Sequence, residues 1–272
     1  MAATVPLAFL VDIMGWRQTF MAIAGVNLAL VLALYLVVRD NPPNHPGESN
    51  VGMAKPQSNA FSGLTAIFKE RAYWIISLVS FTGYGIYAAF QTLWAGPYLT
   101  EVMGLSVMNA GHLILLMNVG GVAGGPVWGW LSDRVFYTRK WVVSGGNAVV
   151  ILILFMLAML SSKTTFVILM MLFFSFGFFR SSGALLYVHI KETMPLEMAG
   201  TAMTAINFFT MIGPAVFLQG LGIYMQTLYP HVSRGPEAFT ASFSLCVLLV
   251  FLVSIIYLFT KDTAIKHKNT QS

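Results

Sequence analysis

At 272 residues, 57% hydrophobic and only 9% charged, the chain has too little polar surface to coat a water-soluble globule of its size, since ordinary soluble domains are about 25% charged. The net charge of +5 is accordingly not a nucleic-acid footprint, because basic residues of membrane proteins collect in their cytoplasmic loops. A single cysteine, Cys246, excludes an internal disulfide and any CxxC ligand set.

The opening stretch, "MAATVPLAFLVDIMG", offers about 11 residues before Asp12, too few to cross a bilayer alone. It reads as the second half of a helix whose beginning is missing, so the chain is expected to be truncated. Seven later segments are long and apolar enough to span: 18–38, 73–96, 107–130, 141–161, 164–189, 200–228 and 238–260. The expected fold is an all-α integral membrane bundle of seven full transmembrane helices plus one partial N-terminal helix. Between the first two spans, "RDNPPNHPGESNVGMAKPQSN" (39–59) is rich in Pro, Asn, Gly and Ser and reads as a linker. In "FSGLTAIFKER", Phe61, Leu64, Ile67 and Phe68 share one face, which predicts a short interfacial helix.

The basic residues fix an orientation. Arg39, Lys55, Lys69 and Arg71 around the linker, Arg134, Arg139 and Lys140, Lys191, and Lys261, Lys266 and Lys268 fall on one side. Arg17, Lys163 and Arg234 fall on the other. The positive-inside bias puts the linker, the 131–140 loop, the 190–199 loop and the C-terminus in the cytoplasm. Arg180, inside "FGFFRSSGALLY", belongs to neither side.

Arg180 stands about 10 residues, or roughly 15 Å, from the end of its span. A cation at such depth costs about 2.5–3.5 kcal/mol on insertion scales, so it requires a wet cavity or a partner. No Asp or Glu lies at matching depth in the seven spans, and Gly177, Gly183 and Ala184 leave room around it. Either it faces a cavity and binds an anionic group through its planar fork, or it donates to helix-end carbonyls or pairs with an acid elsewhere. Ser80, Tyr84, Tyr87, Gln91 and Trp94 recur at steps of 4, 3, 4 and 3 and share a helical face. They are read either as packing or as cavity lining. Thr204 and Asn207 form a further polar pair, while Asn118 and Asn147 read as interhelical hydrogen-bonding groups. There is no HExxH, GxSxG or Walker sequence and no paired carboxylates. No enzyme, catalytic residue, metal site or cofactor is expected.

In "GGVAGGPVWGWLSDRVFYTRK" (120–140), Gly120/Gly124 and Gly121/Gly125 have the spacing that lets membrane helices approach closely, and Gly125-Pro126 predicts a bend. Its end, "GWLSDRVFYTRK", resembles the cytoplasmic loop motif of the major facilitator superfamily, G-x-x-x-D-R/K-x-G-x-R/K-R/K. Gly129, Asp133 and Arg134 match it. Phe136 replaces the usual glycine, and the basic pair Arg139-Lys140 arrives one residue late. "PLEMAGTA" (195–202) resembles the family's loop before helix eleven, with Pro195, Glu197, Gly200 and Ala202 matching. "DIMGWRQTF" (12–20) resembles its outer turn between helices five and six, and "LWAGPYL" (93–99) the outer end of helix seven.

The resemblance implies the family's last eight helices. Residues 1–38 would be the remnant of the N-terminal half, 39–72 the central cytoplasmic linker, 73–260 the C-terminal six-helix transport half and 261–272 a cytoplasmic tail. It implies a secondary carrier with its substrate near the midplane, working by alternating access, with Gly129, Asp133, Arg134, Arg139, Lys140 and Glu197 as a conformational latch. The expected partners are the lipid bilayer, a small organic anion held by Arg180, Tyr84, Tyr87, Gln91, Trp94 and Asn207, and a coupling ion, proton or sodium. Nucleic acid is not expected. The expected location is a plasma membrane, the bacterial inner membrane. The alternatives are a transporter-like solute receptor or regulatory protein, and a non-transporting fragment of a carrier.

Overall fold

The computed structural model describes residues 4–37, 60–232 and 234–263. They belong to two compact units, residues 1–57 and residues 58–272. The first contains one helix, α1 (Thr4–Val37), interrupted at Gly15 with φ 79° and ψ 158°. Only glycine adopts that backbone region readily, so the expected outer turn in "DIMGWRQTF" narrows to a single residue. Thr19 Oγ1 donates to the Gly15 carbonyl at 2.9 Å. Residues Ile13–Val37 are long and apolar enough to cross a membrane.

The second unit is a helical bundle: α2 (Ala60–Lys69), α3 (Arg71–Val102), α4 (Val107–Val135), α5 (Lys140–Met159), α6 (Phe166–Thr193), α7 (Leu196–Leu228) and α8 (Pro236–Tyr257). The six from α3 to α8 have the length and hydropathy of membrane spans and with α1 make seven. Several run past their expected ends because backbone hydrogen bonding carries the helix on into polar residues. Thus α3 continues through Gly96-Pro97 to Val102 by way of two π-turns, Phe90–Trp94 and Tyr98–Val102. Pro126 and Pro214 lie inside continuous helices, so the bend expected at Gly125-Pro126 does not interrupt the secondary structure. In the short α2, Ile67 is fully buried while Phe68 is half-exposed against Tyr73 and Trp74. The side chains of Phe61 and Leu64 lie outside the described residues.

The closest helix pairings are α3 with α7, α4 with α6, and α5 with α8. Glycine makes the α4–α6 contact intimate. A Cβ on Gly177 would strike the Met117 carbonyl, and one on Gly120 the Phe174 carbonyl. Asn147 is buried.

Two apolar clusters occupy opposite ends of the bundle. One contains Ile86, Phe90 and Tyr98 of α3, Phe173 and Phe176 of α6, Phe217 of α7, and Phe239 and Phe243 of α8. The other contains Ile76 and Val79 of α3, Val143 of α5, Leu186 and Ile190 of α6, Ile206 of α7, and Tyr257 of α8. Between them four helices carry small or polar residues: Ser80, Thr82, Gly83 and Tyr84 in α3, Gly145, Gly146 and Asn147 in α5, Gly177, Arg180, Ser181, Ser182 and Gly183 in α6, and Asn207, Thr210 and Gly213 in α7. This middle layer holds the candidate site.

The glycine contacts make a stability prediction. Gly177→Ala should destabilise the purified protein by about 1–3 kcal/mol through overpacking against α4. Gly145→Ala, whose Cβ would meet nothing within 4 Å, should be neutral or stabilising by up to about 1 kcal/mol from helix propensity. Thermal unfolding of both variants in one detergent checks the difference.

Candidate functional site

Arg180 ends the α-helical part of α6, which then tightens into a 3-10 turn over Ser181–Ala184. The local sequence favours that tightening. The hydroxyls of Ser181 and Ser182 donate back to the carbonyls of Phe178 and Phe179 at 2.7 and 2.8 Å, and Gly183 removes a side chain where the guanidinium lies. A Cβ on Gly83 would come within 2.7 Å of Arg180 Nη2, and one on Gly183 within 2.9 Å of Cζ. The cation therefore occupies a slot between α3 and α6 made by missing side chains.

The slot opens on a cavity of about 440 Å³ lined by Ser80, Tyr84 and Tyr87 of α3, Arg180 and Tyr187 of α6, and Thr210 of α7. Arg180 is only 8% exposed. Its Nε and Nη1 are buried without a hydrogen-bond partner among the described residues. Two desolvated donors on a fixed cation are unfavourable unless an acceptor reaches them. Tyr84 and Tyr87 stand side by side, their ring centroids 6.5 Å apart.

The rest of the expected stripe diverges from this cavity. Gln91 donates through Nε2 to Asn118 Oδ1 of α4, and Asn118 Nδ2 donates to the Ile114 carbonyl at 2.8 Å. Trp94 lies edge-on to Phe239 and close to Gly222, its Nε1 buried without a partner among the described residues. Both sit in the π-turn, whose extra residue rotates the following side chains away from the face that a regular 3.6-residue repeat predicts.

Asn207 is exposed and accepts from Tyr187 Oη at 2.9 Å. Tyr187 also lies 3.1 Å from Thr210 Oγ1, which contacts Ser80 Oγ at 2.6 Å. Sequence reasoning missed Tyr187 and Thr210. Thr204, the expected partner of Asn207, bonds instead to the Gly200 carbonyl of its own helix.

The second charged constellation lies at the bundle end carrying the 131–140 loop. Arg139 Nη1 is ion-paired to Asp133 Oδ1 and donates to Ser132 Oγ at 2.8 Å. Its Nη2 donates to Glu192 Oε1 at 2.9 Å. Burial works against the Arg139 cation, but its bonds to Glu192 and Asp133 outweigh burial and hold its pKa above the ordinary value.

Asp262, just past α8, accepts from Thr138 Oγ1 and from the backbone N–H groups of Arg139 and Lys140 at 3.1 and 3.4 Å. It thereby caps the start of α5. Thr263 Oγ1 donates to Glu192 Oε2 at 2.7 Å, which closes a clasp between the loop, α6 and the segment after α8. Burial would raise the Asp262 carboxyl, but hydrogen bonds from Thr138 and from the N–H groups of Arg139, Lys140 and Thr263 hold it below its ordinary value. One turn away, the buried His189 contacts Tyr257 Oη through Nδ1 at 2.7 Å and the Lys261 carbonyl through Nε2 at 2.8 Å. The carbonyl can only accept, so Nε2 carries the proton and Nδ1 accepts from Tyr257.

Of the other expected latch residues, Arg134 is exposed, Lys140 Nζ lies 5.3 Å from the Trp141 ring centroid, and Gly129 faces open space. The Glu197 side chain lies outside the described residues. The loop turns through Tyr137, at φ 50°, one position after the place where the family pattern puts glycine. The basic pair is displaced by the same single residue. The clasp acids Glu192 and Asp262 were not anticipated. Their one sequence signal is acidity within otherwise basic segments, "HIKET" and "LFTKDTAIKHK".

This is a polytopic all-helical membrane protein with a polar layer in mid-bundle. The chain belongs to the Major Facilitator Superfamily, which it matches over residues 2–218. It is 25% identical over 129 residues to a probable sulfoacetate transporter, SauU, of Cupriavidus necator, covering 45% of this chain and 30% of that protein. It is 24% identical to a glycerol-3-phosphate transporter of Bacillus subtilis, covering 46% of this chain and 31% of the relative. It is 30% identical to the membrane sensor protein UhpC of Escherichia coli, covering 45% of this chain and 30% of the sensor. The matched stretch is thus under a third of each relative's length. The fold is shared with a bacterial homolog of the human lysosomal transporter Spinster in an inward-facing, unoccupied conformation. There the TM-score is 0.59 at 16% identity, covering 94% of this chain and 62% of that one.

The clasp makes a pH prediction. A carboxyl whose folded pKa is depressed stabilises the fold above its unfolded value, and the contribution is lost as pH falls through the folded value. Asp262→Asn should therefore destabilise by about 1 kcal/mol at pH 7, as loss of a helix cap does. The difference from wild type should shrink below the ordinary value of 3.8. Unfolding curves of both proteins across pH 3–7 test this.

Proposed function

We propose that this chain forms part of a secondary carrier that moves a small organic anion across the membrane by alternating access, with Arg180 holding the anionic group. The observation that carries the reading is the guanidinium itself: buried, with Nε and Nη1 unpartnered among the described residues, beside a cavity of about 440 Å³. Planar oxyanions fit such a fork. The relatives' names agree in charge type, for sulfoacetate, glycerol 3-phosphate and, in a third relative from Escherichia coli, L-galactonate are all anions.

On this reading Tyr84 and Tyr87 complete the anion's coordination. Residues 73–260 form one transport half, 1–38 belong to the other, 39–72 link them and 261–272 form a tail. The Asp133–Arg139–Glu192 clasp acts as a latch biasing the conformational equilibrium, and the clasp side faces the cytoplasm of a bacterial inner membrane. A second reading is favoured by one relative, the sensor protein UhpC: a receptor that binds the same anion without moving it.

Proteoliposomes bearing the chain should accumulate at least one of labelled sulfoacetate, glycerol 3-phosphate or galactonate. Arg180→Gln should weaken its half-saturation by about 10- to 100-fold, the cost of losing a charged hydrogen-bond partner. Unchanged affinity in that variant would remove Arg180 from the site. Saturable binding without accumulation favours the receptor. Imposing proton and sodium gradients in turn identifies the driving ion.

A further inference from the structure

The wall of the Arg180 cavity has a hydrogen-bonding polarity that specifies more than a negative charge. Ser80 and Thr210 are buried, at 2% and 4% exposure, and with Tyr187 they line the cavity. Their hydroxyls form one chain. Ser80 Oγ lies 2.6 Å from Thr210 Oγ1, Thr210 Oγ1 lies 3.1 Å from both the Ile206 carbonyl and Tyr187 Oη, and Tyr187 Oη lies 2.9 Å from Asn207 Oδ1.

The Ile206 carbonyl and the Asn207 Oδ1 atom only accept, and each hydroxyl has a single proton. Thr210 and Tyr187 satisfy their protons on the Ile206 carbonyl and Asn207 Oδ1, which leaves lone pairs on Tyr187 Oη. Between Ser80 and Thr210 either oxygen can be the donor, and when Ser80 donates its lone pairs are left over as well. This wall presents acceptors, and a buried acceptor is satisfied by a donor.

Resting on the reading of Arg180 as the anion contact, we propose that the ligand is a hydroxylated monoanion: one planar oxyanion on the guanidinium and a neutral body whose hydroxyls donate to Ser80 and Tyr187. The same wall disfavours a second anionic group, because lone pairs repel a carboxylate. It likewise disfavours an unsubstituted alkyl chain, which leaves the acceptors unpaired. Specificity of this kind is strong because a site built to hydrogen-bond a hydroxyl loses a partner when the analogue lacks it.

The test uses three six-carbon probes on the purified 272-residue chain in lipid nanodiscs, with affinities from titration calorimetry. They are gluconate (hydroxylated monoanion), hexanoate (bare monoanion) and adipate (dianion). Gluconate should bind at least about tenfold more tightly than hexanoate, equivalent to roughly one recovered hydrogen bond, and adipate no more tightly than hexanoate. Thr210→Val and Tyr187→Phe should each shrink the gluconate-to-hexanoate ratio toward one, by weakening gluconate and by relieving the unpaired acceptor that hexanoate meets. The tyrosine variant keeps its ring, so it guards against loss of folding in the threonine variant. Equal affinity for gluconate and hexanoate, a ratio that survives in both variants, or no saturable gluconate binding overturns the proposal. Arg180→Gln separates the two readings. It should weaken both monoanions alike, and if it leaves them unaffected while the gluconate preference persists, the anion contact fails and the hydroxyl contact stands.

Discussion

Everything in the middle of this bundle answers to one constraint: a guanidinium held at depth in an apolar helix, with no carboxylate paired to it among the described residues. Placing that cation requires space, which Gly83 and Gly183 supply by lacking side chains. It also requires a polar neighbourhood, supplied by Ser80, Tyr84, Tyr87, Tyr187 and Thr210. The apolar clusters stop short of this layer on both sides, leaving off at Val79 and resuming at Ile86 in α3, and leaving off at Phe176 and resuming at Leu185 in α6. The chain gives up continuous apolar packing in its centre and packs aromatics densely toward one end, where Phe90, Tyr98, Phe173, Phe176, Phe239 and Phe243 meet edge to face or tilted.

The helix that carries the cation also carries the clasp. Along α6, Arg180 sits in the central layer, His189 is fixed by Tyr257 and the Lys261 carbonyl, and Glu192 meets Arg139 and Thr263. A displacement of α6 is therefore felt at both places. The clasp is a network of charge-assisted bonds around a half-buried arginine, which sets it apart from an isolated surface ion pair such as Arg234–Glu101, exposed on both partners.

Much of this was legible in the sequence, and the exceptions have definite causes. The spans followed from length and hydropathy, and the close α4–α6 contact from the spacing of Gly120 and Gly124. The depth of Arg180 followed from counting residues. The stripe from Ser80 to Trp94 was legible only as far as Tyr87, because a π-turn interrupts the 3.6-residue repeat on which the count depends. Tyr187 and Thr210 went unnoticed because a lone tyrosine and a lone threonine in apolar helices are unremarkable until a neighbouring helix brings their oxygens within 3.1 Å.

By itself the sequence determined that the chain is a membrane helix bundle, that its loops are polarised by charge, and that one cation is stranded in the apolar interior. These are properties of single segments, set by the cost of moving each residue type from water into hydrocarbon. The tertiary structure decided which groups share the cavity with that cation, which of their hydroxyls meet one another, and which acids, Glu192 and Asp262, close the clasp on Arg139. Those are relations between segments up to 130 residues apart, as with Ser80 and Thr210. They arise only when helices pack, because a hydrogen bond depends on a few tenths of an ångström that no spacing within one helix can supply.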